Sequence, residues 1–358
     1  MNKKIVFTGG GTAGHVTPNI ALLPFLQKEG YDAFYIGSYN GIEKRLMEDF
    51  DIPYYGISTG KFRRYFDLKN LSDPFRVMKG YSQAIKILKE LKPDIVFSKG
   101  GFVSVPVVRA AATLKIPCII HESDMTPGLA NKLCIPVATK VCCNFPETIK
   151  YVPSGKAVLT GSPIRTELTT GSKLAALELC GFTANKPVVM VIGGSQGATS
   201  VNIMVREALP KLLEDFQVVH ICGKDKVDNL MLTIPGYKQF EYLKSDLKDV
   251  FAMADVVVSR AGANAICELL ALKKPNLLIP LQVGSRGDQI LNARSFEEQG
   301  FSMTVREDFI DCDILTDKIK ELYENRQNYI DKMCESNQMN SISTIMELIK
   351  EYSKKYSK

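Results

Sequence analysis

The sequence has few of the residues on which metal and disulfide chemistry depend. It contains only three histidines, and its nine cysteines are scattered without a single C-x-x-C pair. A zinc cage or a disulfide framework is therefore disfavoured, and reduced, mostly buried thiols are the simpler interpretation. From these absences we infer neither a metal site nor a cofactor.

Long apolar runs are lacking as well. No segment approaches the ~18 consecutive apolar residues of a membrane-spanning helix, and the apolar run near Met1 is too short for a signal peptide. We therefore expect the chain to stay in the cytoplasm. Its 358 residues, of which 45% are hydrophobic, suffice for the cores of two ordinary domains.

The net charge of +6 is concentrated in the first half of the chain. Residues 1–162 carry 21 Lys and Arg against 13 Asp and Glu, whereas the remaining residues carry 24 against 26. Residues 61–92 hold nine of the basic residues and only three acidic ones. Such a segment is either an ordinary solvated face or attracts an anionic partner, and no nucleic-acid-binding motif accompanies it.

Short apolar segments alternate with amphipathic stretches, which predicts parallel βαβ units and an α/β fold. Each half opens with a buried strand, Ile5–Thr8 or Val188–Ile192, followed by a Gly-rich turn and a helix. We predict domains over residues 1–162 and 163–340, and the polar helix of residues 341–358 could pack back on the first. Further strands are predicted at Ala33–Ile36, Tyr54–Ile57, Ile95–Ser98, Cys118–His121, Val141–Cys143, Val218–Cys222, Asp255–Ser259 and Asn276–Ile279.

The first Gly-rich turn, Gly9–Gly14, has the G-x-G-x-x-G spacing of a dinucleotide-binding fingerprint. The rest of that fingerprint is missing, because the second strand ends at Tyr35–Ser38 without the acidic residue that would hold a ribose. A nicotinamide-dependent dehydrogenase is therefore disfavoured. His15 follows the turn directly, where a neutral imidazole could take a proton from a hydroxyl group or simply cap the helix.

The second Gly-rich turn, Gly193–Gly197, also matches the G-x-S-x-G motif of serine hydrolases. The only histidine after Ser195 is His220, which is too close in sequence for the usual order of such a site. Anion binding is the simpler function, since glycines let backbone N–H groups approach a phosphate at a helix N-terminus. A tight turn without a ligand is the alternative.

Polar residues follow other predicted strands, at the edge where open α/β sheets bind ligands. His121–Asp124 does so in the first half, and Glu268 lies about one and a half turns into a helix in the second. That carboxylate could accept both hydrogens of a ribose diol or be a surface charge. Asp311 and Asp313 form a D-x-D pair without a strong strand before it, so we interpret Asp313 as a helix N-cap.

Six segments occur together in a characteristic order. They are Gly9–Pro18, Ser98–Ser104, His121–Asp124, Gly193–Ala198, Ser259–Ala263 and Gly287–Gln289. As a set that covers nearly the whole chain, they resemble the MurG family, the N-acetylglucosaminyltransferases of peptidoglycan synthesis. The resemblance implies the GT-B fold, in which two Rossmann-like parallel-sheet domains face a cleft.

The resemblance also implies a reaction. N-acetylglucosamine would pass from UDP-N-acetylglucosamine to the C4 hydroxyl of the muramyl sugar of lipid I, the undecaprenyl-diphosphate-linked acceptor. The product would be lipid II, formed with inversion in a single displacement. A helix N-terminus would stabilise the departing nucleoside diphosphate without a metal, and a general base would assist the uncharged hydroxyl.

Motif matching implies roles for individual residues, with His15 as the candidate base. The expected substrate contacts are Thr12, Ala13 and Gly14 from the first domain, Arg165, Ser195 and Gln196 at the donor phosphates, Ala263, Asn264 and Glu268 at the nucleoside, and Gln289 at the sugar. The loop of residues 242–247 would frame the uracil. The family usually has glycine at Ala13 and Gln-Asn at Ser123-Asp124, so the Asp124 carboxylate is a helper or a rival to His15.

The basic segment of residues 61–92 could bind a membrane surface in such an enzyme. Lys61, Phe62, Arg63 and Arg64 interleave cations with an aromatic ring, and Phe75 follows. Basic residues beside interfacial aromatics suit an anionic bilayer surface. We expect peripheral binding to the cytoplasmic face of the plasma membrane through the first domain. Other proteins of cell-wall synthesis or division are candidate partners, and nucleic acid is not.

Two other functions stay open. A glycosyltransferase acting on another lipid, such as diacylglycerol, would share the donor half. A UDP-N-acetylglucosamine 2-epimerase would share the two-domain scaffold but would need neither a lipid acceptor nor a basic membrane-facing surface. The dependence of UDP release on lipid I distinguishes both from the transferase.

Overall fold

The computed structural model describes residues 2–60, 69–194, 197–282 and 287–355. The chain divides into two compact units, one formed by Met1–Arg165 with Asn340–Lys358 and the other by Thr166–Met339. The boundary that the sequence predicts, between residues 162 and 163, lies three residues before this division. Each unit is a parallel sheet flanked by helices.

The first unit has seven strands: β1 (Lys3–Thr8), β2 (Tyr31–Ser38), β3 (Tyr54–Ile57), β4 (Ile95–Ser98), β5 (Cys118–Glu122), β6 (Lys140–Cys143) and β7 (Ala157–Leu159). They pair in parallel in the order β3-β2-β1-β4-β5-β6-β7. Its helices are α1 (Thr17–Lys28), α2 (Ile42–Met47), α3 (Lys69–Leu91), α4 (Ser104–Thr113), α5 (Leu129–Cys134) and, from the end of the chain, α13 (Ser341–Lys355).

Both faces of this sheet are buried, which explains why its central strands are nearly continuous apolar runs. Val6 and Ile120 belong to the core that includes α3 and α4. Their neighbours Ile5 and Ile119 belong to the core that includes α1 and α13. Successive side chains of a strand point to opposite faces, so one apolar run supplies both cores.

The last helix of the chain packs on this first unit. Ile349 is fully buried in the core beside α1. At the start of α13, Ser341 Oγ donates a hydrogen bond to the carbonyl oxygen of Ser162, 3.0 Å away. Further along, Lys350 Nζ lies 2.8 Å from Glu29 Oε1. The chain therefore ends on the unit in which it began.

The second unit has six strands: β8 (Val188–Ile192), β9 (Gln217–Ile221), β10 (Tyr237–Phe240), β11 (Val256–Ser259), β12 (Asn276–Leu278) and β13 (Met303–Thr304). They pair in parallel in the order β10-β9-β8-β11-β12-β13. Its helices are α6 (Lys173–Cys180), α7 (Thr199–Asp215), α8 (Leu247–Met253), α9 (Ala263–Ala271), α10 (Asp288–Glu298), α11 (Cys312–Glu324) and α12 (Arg326–Cys334).

Three observed strands are absent from the sequence prediction: β7, β10 and β13. Each lies at an edge of its sheet. β7 has three residues, β13 has two, and β10 reads Tyr-Lys-Gln-Phe. β7 and β13 are too short, and β10 is too polar at its centre, to show a clear strand pattern, whereas the fourth edge strand, β3, is predicted with its observed bounds.

The D-x-D pair supplies one correction. The N-cap of α11 is Asp311, whose carboxylate accepts hydrogen bonds from the backbone N–H groups of Asp313 (3.0 Å) and Ile314 (2.8 Å). The predicted N-cap, Asp313, is wrong. It lies in the first turn of the helix, where its Oδ1 is 2.6 Å from Lys211 Nζ.

Candidate active site

In the first unit, the Gly-rich turn leaves β1 at the carboxyl edge of the sheet. Three hydrogen bonds fix its backbone from different elements. Tyr35 Oη of β2 donates to the carbonyl oxygen of Gly9 (2.8 Å), and Gly10 N donates to the carbonyl oxygen of Gly100 (3.3 Å). Gly11 N donates to a carboxylate oxygen of Glu43 in α2 (3.2 Å). The turn is therefore held from both neighbouring strands.

His15 ends a single turn of 3-10 helix, Ala13–His15, that precedes α1. Thr12 caps this turn and is exposed, as is Ala13, whereas Gly14 and His15 are half-buried. The hydroxyl of Thr12 lies 3.0 Å from His15 Nδ1, which fixes the orientation of the ring. A Cβ at Gly101, after β4, would lie 3.2 Å from the same nitrogen. The same Cβ would collide with the carbonyl oxygen of Gly10, so glycine here allows the turn after β4 to approach the Gly-rich turn.

His121, in β5, is fully buried and has both ring nitrogens in hydrogen bonds. Its Nε2 is 2.9 Å from the carbonyl oxygen of Gly161, and its Nδ1 is 2.7 Å from Nζ of the buried Lys99. Burial, with the Lys99 ammonium as a second cause, holds the pKa of His121 well below its usual range. A neutral imidazole with two partners positions other groups and is a poor candidate for the base.

Lys99 and Ser123 connect this buried pair to the edge of the sheet. The Lys99 ammonium also donates a hydrogen bond to Ser123 Oγ. Asp124 is the next residue, and its backbone N donates to Glu122 Oε1, 3.0 Å away. Burial raises the pKa of Glu122 to about 6. The predicted residue Asp124 is half-buried and follows β5, beside the turn after β4.

Arg165, predicted at the donor phosphates, is half-buried and is the last residue of the first segment of the first unit. The other expected donor contacts belong to the second unit. Ser195 and Gln196 lie outside the described residues. Beside them, the carbonyl oxygen of Gly197 accepts a hydrogen bond from Lys226 Nζ, 3.3 Å away. The φ of Gly197, +67°, is in the left-handed region that favours glycine.

Arg260 lies in the turn between β11 and α9 and connects it to three other segments by hydrogen bonds. Its guanidinium makes a bidentate ion pair with Glu307, at 2.8 and 2.9 Å. It also donates to the carbonyl oxygen of Ile279 (3.0 Å) and to Ser200 Oγ (3.0 Å) at the start of α7. The Arg260 hydrogen bonds lower the pKa of the Glu307 carboxyl. One buried side chain thus joins four segments at this edge of the sheet.

The remaining candidates lie on α9 and α10. Ala263, Asn264 and Glu268 are half-buried on α9, so Glu268 stands in the second turn of the helix, as expected. Gln289 is the second residue of α10, and its Oε1 accepts a hydrogen bond from the backbone N–H of Leu281, 2.9 Å away. The amide of Gln289 is therefore oriented by the loop after β12.

The predicted membrane face is described only in part. Lys61, Phe62, Arg63 and Arg64 lie outside the described residues. Phe75 on α3 is 74% exposed, and Met78, one turn away, is 67% exposed. Arg76 and Lys79, which flank them, are exposed as well. Two large apolar side chains thus stand in water among basic ones.

The described ranges contain neither a cluster of metal-binding side chains nor a membrane-spanning helix. Between residues 2 and 355, outside the three undescribed gaps, no group of three His, Cys, Asp or Glu side chains could hold a metal ion. In the same ranges, no helix is long and apolar enough to cross a membrane.

Both units match one family of enzymes. Residues 5–143 match the glycosyltransferase family 28 N-terminal domain, and residues 188–349 match the glycosyltransferase family 28 C-terminal domain. The chain belongs to glycosyltransferase family 28. The predicted α/β fold with two Rossmann-like parallel-sheet domains of the GT-B class is confirmed, and so is the resemblance to the MurG family.

Relatives that align with nearly the whole chain show which members of family 28 it is similar to. The chain is 65% identical to a protein of Lachnospira eligens named UDP-N-acetylglucosamine--N-acetylmuramyl-(pentapeptide) pyrophosphoryl-undecaprenol N-acetylglucosamine transferase, over 98% of this chain and 100% of that protein. A protein of the same name from Lachnoclostridium phytofermentans is 60% identical over 98% and 99%. The crystal structure of MurG from Acinetobacter baumannii superposes with a TM-score of 0.78 at 26% identity, covering 98% and 99%.

Sequence reasoning missed three residues that hold the site together: Glu43, Lys99 and Arg260. Arg260 and Lys99 lie in segments that the prediction singled out, but no partner could be assigned to them. No sequence pattern connected Glu43 to the site, because its hydrogen-bond partner Gly11 is 32 residues away in the chain. Each of these side chains is buried and charged, a combination that a structure reveals at once.

Proposed function

We propose that this chain transfers N-acetylglucosamine from UDP-N-acetylglucosamine to the C4 hydroxyl of the muramyl sugar of lipid I, making lipid II for peptidoglycan. The observation that carries the proposal is the 65% identity, over 98% of the chain, to a transferase whose name states this donor and this acceptor. Both Gly-rich turns lie at the carboxyl edge of a parallel sheet, where such folds bind ligands.

The second unit binds the donor in this proposal. Ser195, Gln196 and the start of α7 stabilise the charge that develops on the departing diphosphate, because backbone N–H groups at a helix N-terminus favour an anion. Arg165, which directly precedes the second unit in sequence, adds a positive charge. The nucleoside contacts are Ala263, Asn264 and Glu268, with the Glu268 carboxylate on the ribose diol, and Gln289 contacts the sugar hydroxyls. The half-buried positions of these α9 and α10 residues support the assignment.

His15 is the general base of the reaction. With its Nδ1–H donating to Thr12 Oγ1, the lone pair on Nε2 takes the proton of the C4 hydroxyl. The hydroxyl oxygen then attacks C1 of the donor sugar as the bond from C1 to the diphosphate oxygen breaks, and the configuration at C1 inverts. UDP leaves with the electron pair of that bond. The contact of 3.0 Å with Thr12 is compatible with this tautomer, because the hydroxyl can accept the Nδ1–H.

Asp124 helps His15 or competes with it for the same proton. Its backbone is anchored by Glu122 and by Thr148, whose Oγ1 donates to the carbonyl oxygen of Asp124, 3.3 Å away. A carboxylate held at this edge can orient an imidazolium or accept a proton itself. The pH dependence described in the Discussion distinguishes the two roles.

The first unit also binds the membrane. We place the protein on the cytoplasmic face of the plasma membrane, held peripherally by Lys61, Phe62, Arg63, Arg64 and Phe75. The exposure of Phe75 and Met78 between basic residues supports this, because apolar side chains insert at an interface while cations attract anionic lipids. Other proteins of cell-wall synthesis or division remain candidate partners. Vesicles with and without anionic lipid, in a sedimentation assay at two salt concentrations, test the membrane binding.

UDP release tests the transfer. The assay compares UDP-N-acetylglucosamine alone, the same donor with a short-chain lipid I analogue, and UDP-glucose with that analogue. We expect release only when both the N-acetyl donor and the muramyl acceptor are present. Release with diacylglycerol would indicate a glycolipid transferase. Conversion of the donor to its C2 epimer, without UDP release and without any acceptor, would indicate the epimerase.

A further inference from the structure

Glu43 is a buried carboxylate beside the first Gly-rich turn, and the transfer steps above make no use of it. It lies in the first turn of α2 and is fully buried. Its Oε2 accepts a hydrogen bond from Gly11 N (3.2 Å), and its Oε1 accepts from the backbone N (3.0 Å) and the hydroxyl of Ser38. Three donors converge on two oxygens, which suits an ionised carboxylate because it only accepts.

Three glycines, which lack a Cβ, leave the space that this carboxylate fills. A Cβ at Gly10 would lie 2.5 Å from Glu43 Cδ. A Cβ at Gly37 would lie 2.9 Å from its Cγ, and one at Gly41 would collide with both oxygens. Real Cβ contacts are longer than this, so a larger residue at any of these positions would displace the buried carboxylate. The Glu43 carboxylate is therefore in direct contact with the Gly-rich turn.

The same turn binds a ligand phosphate in dinucleotide-binding proteins. There the second glycine of G-x-G-x-x-G lets the backbone approach the pyrophosphate. In this chain the second glycine is Gly11, and its N–H donates to Glu43 instead. The N–H of Gly10 donates to the carbonyl oxygen of Gly100. A fixed negative charge at contact distance also repels a phosphate.

We propose that Glu43 is a positioning residue for the acceptor: its carboxylate occupies the place of a ligand phosphate, holds Gly11 and thereby His15, and keeps phosphoryl groups out of the turn. The inference rests on the proposed function, since the base His15 is what Glu43 positions. The first turn then serves an uncharged hydroxyl, and the phosphoryl groups of both substrates bind away from Gly10 and Gly11.

Two variants and one control test the positioning role. Glu43→Ala removes the carboxylate, and Glu43→Gln keeps its shape but places an NH₂ group against the converging donors. Glu48→Ala removes an exposed carboxylate at the end of the same helix. We expect both Glu43 variants to lower kcat about 10- to 100-fold, the size of effect that misplacing a catalytic group produces. The KM for UDP-N-acetylglucosamine and all constants of Glu48→Ala should change less than about twofold.

Added anions distinguish a charge that positions from a side chain that merely fills space. In Glu43→Ala, formate or acetate at constant ionic strength should restore activity at least several-fold, whereas neutral acetamide should not. Inorganic pyrophosphate should inhibit Glu43→Ala competitively with the acceptor, whereas in the wild type it should compete only with the donor, whose proposed diphosphate site both proteins share. The test uses the full chain, and melting temperatures report whether each variant is folded.

Three results would overturn the inference. One is a kcat for folded Glu43→Gln equal to that of Glu48→Ala. Another is equal rescue of Glu43→Ala by acetate and acetamide. The third is pyrophosphate inhibition of the wild type that matches the inhibition of the variant. If the wild type itself releases no UDP with lipid I, the proposed function fails instead. Calorimetric titration of pyrophosphate into Glu43→Ala and wild type then still decides whether Glu43 excludes the anion.

Discussion

Arg260 and Glu307 form a two-pronged ion pair across the edge of the second sheet. The two distances are 2.8 and 2.9 Å, and the side chains are only 9% and 20% exposed. A planar guanidinium matches a carboxylate in this way, and a lysine ammonium cannot. The pair fixes the turn that leads into α9, on which the proposed nucleoside contacts lie.

We expect Arg260→Lys to weaken donor binding and to destabilise the second unit. A lysine would keep the charge but lose the bonds to Ile279 and Ser200, which require separate N–H groups. Losing half of a largely buried network costs about 1–3 kcal/mol. Urea unfolding measures that loss, and the KM for UDP-N-acetylglucosamine should rise while the KM for the acceptor stays constant.

Arg294→Lys is the matched control for Arg260→Lys. Arg294 also pairs with a carboxylate, Glu298, at 2.8 Å, but both side chains are more than half exposed. Exposed pairs of this kind contribute about 0–1 kcal/mol, so this variant should behave as the wild type. Equal effects of the two substitutions would contradict the role assigned to Arg260.

Gly197→Ala should disrupt the donor half of the site more than Gly181→Ala does. Both glycines have φ near +70°, so alanine costs about 1–2 kcal/mol in strain at either position. At Gly181 an added Cβ meets nothing within 4 Å, whereas at Gly197 it collides with the backbone carbonyl of Cys222. We expect the Gly197 variant alone to lose UDP affinity in calorimetric titration. Equal affinities would show that the turn tolerates displacement.

The fold could be predicted largely because its inner strands have a recognisable apolar pattern in the sequence. The predicted strand at residues 188–192 has the observed bounds of β8, and the same holds for β4 at residues 95–98. Buried parallel strands are apolar on both faces, so each reads as a short run between polar or glycine residues. The edge strands β7 and β13 have only three and two residues, which is too short for a recognisable run, so their pairing with a neighbouring strand defines them.

The site could be predicted only where its residues are adjacent in sequence. The Gly9–Gly14 motif and His15 form one local segment whose meaning is readable from spacing. The bond from Lys99 to His121 spans 22 residues, and the bond from Arg260 to Glu307 spans 47. Such partners are chosen by the packing of separate elements, which a pattern of residue types along the chain does not encode.

His220 should make the protein less stable as the pH falls below about 6.5. Burial lowers the pKa of His220 to about 3, and the ring bonds Tyr237 Oη (2.9 Å) and Asn202 Oδ1 (3.0 Å). Below its unfolded pKa of about 6.5, the unfolded chain binds a proton that the folded chain does not, so stability rises with pH in this range. The slope from this residue approaches about 1.4 kcal/mol per pH unit between roughly pH 6 and pH 3.

His220→Gln checks this slope directly. Glutamine does not titrate, so the free energy of unfolding should depend less on pH between 6.5 and 5 than in the wild type, although it is lower at pH 7. The buried His121 still titrates in both proteins and leaves a common residual slope. Parallel curves for wild type and variant would show that His220 takes up its proton over the same pH range in the folded and unfolded states.

His15→Ala and Asp124→Asn separate the two candidates for the base. Loss of a general base lowers kcat about 10²- to 10⁴-fold and removes the limb of the pH–rate profile in which that base becomes protonated. If His15 is the base, His15→Ala flattens this limb, whereas Asp124→Asn shifts it and costs less. Thr12→Val should shift the same limb, because the hydroxyl of Thr12 contacts His15 Nδ1. A limb that persists in His15→Ala and disappears in Asp124→Asn would reverse the assignment and make the Asp124 carboxylate the proton acceptor.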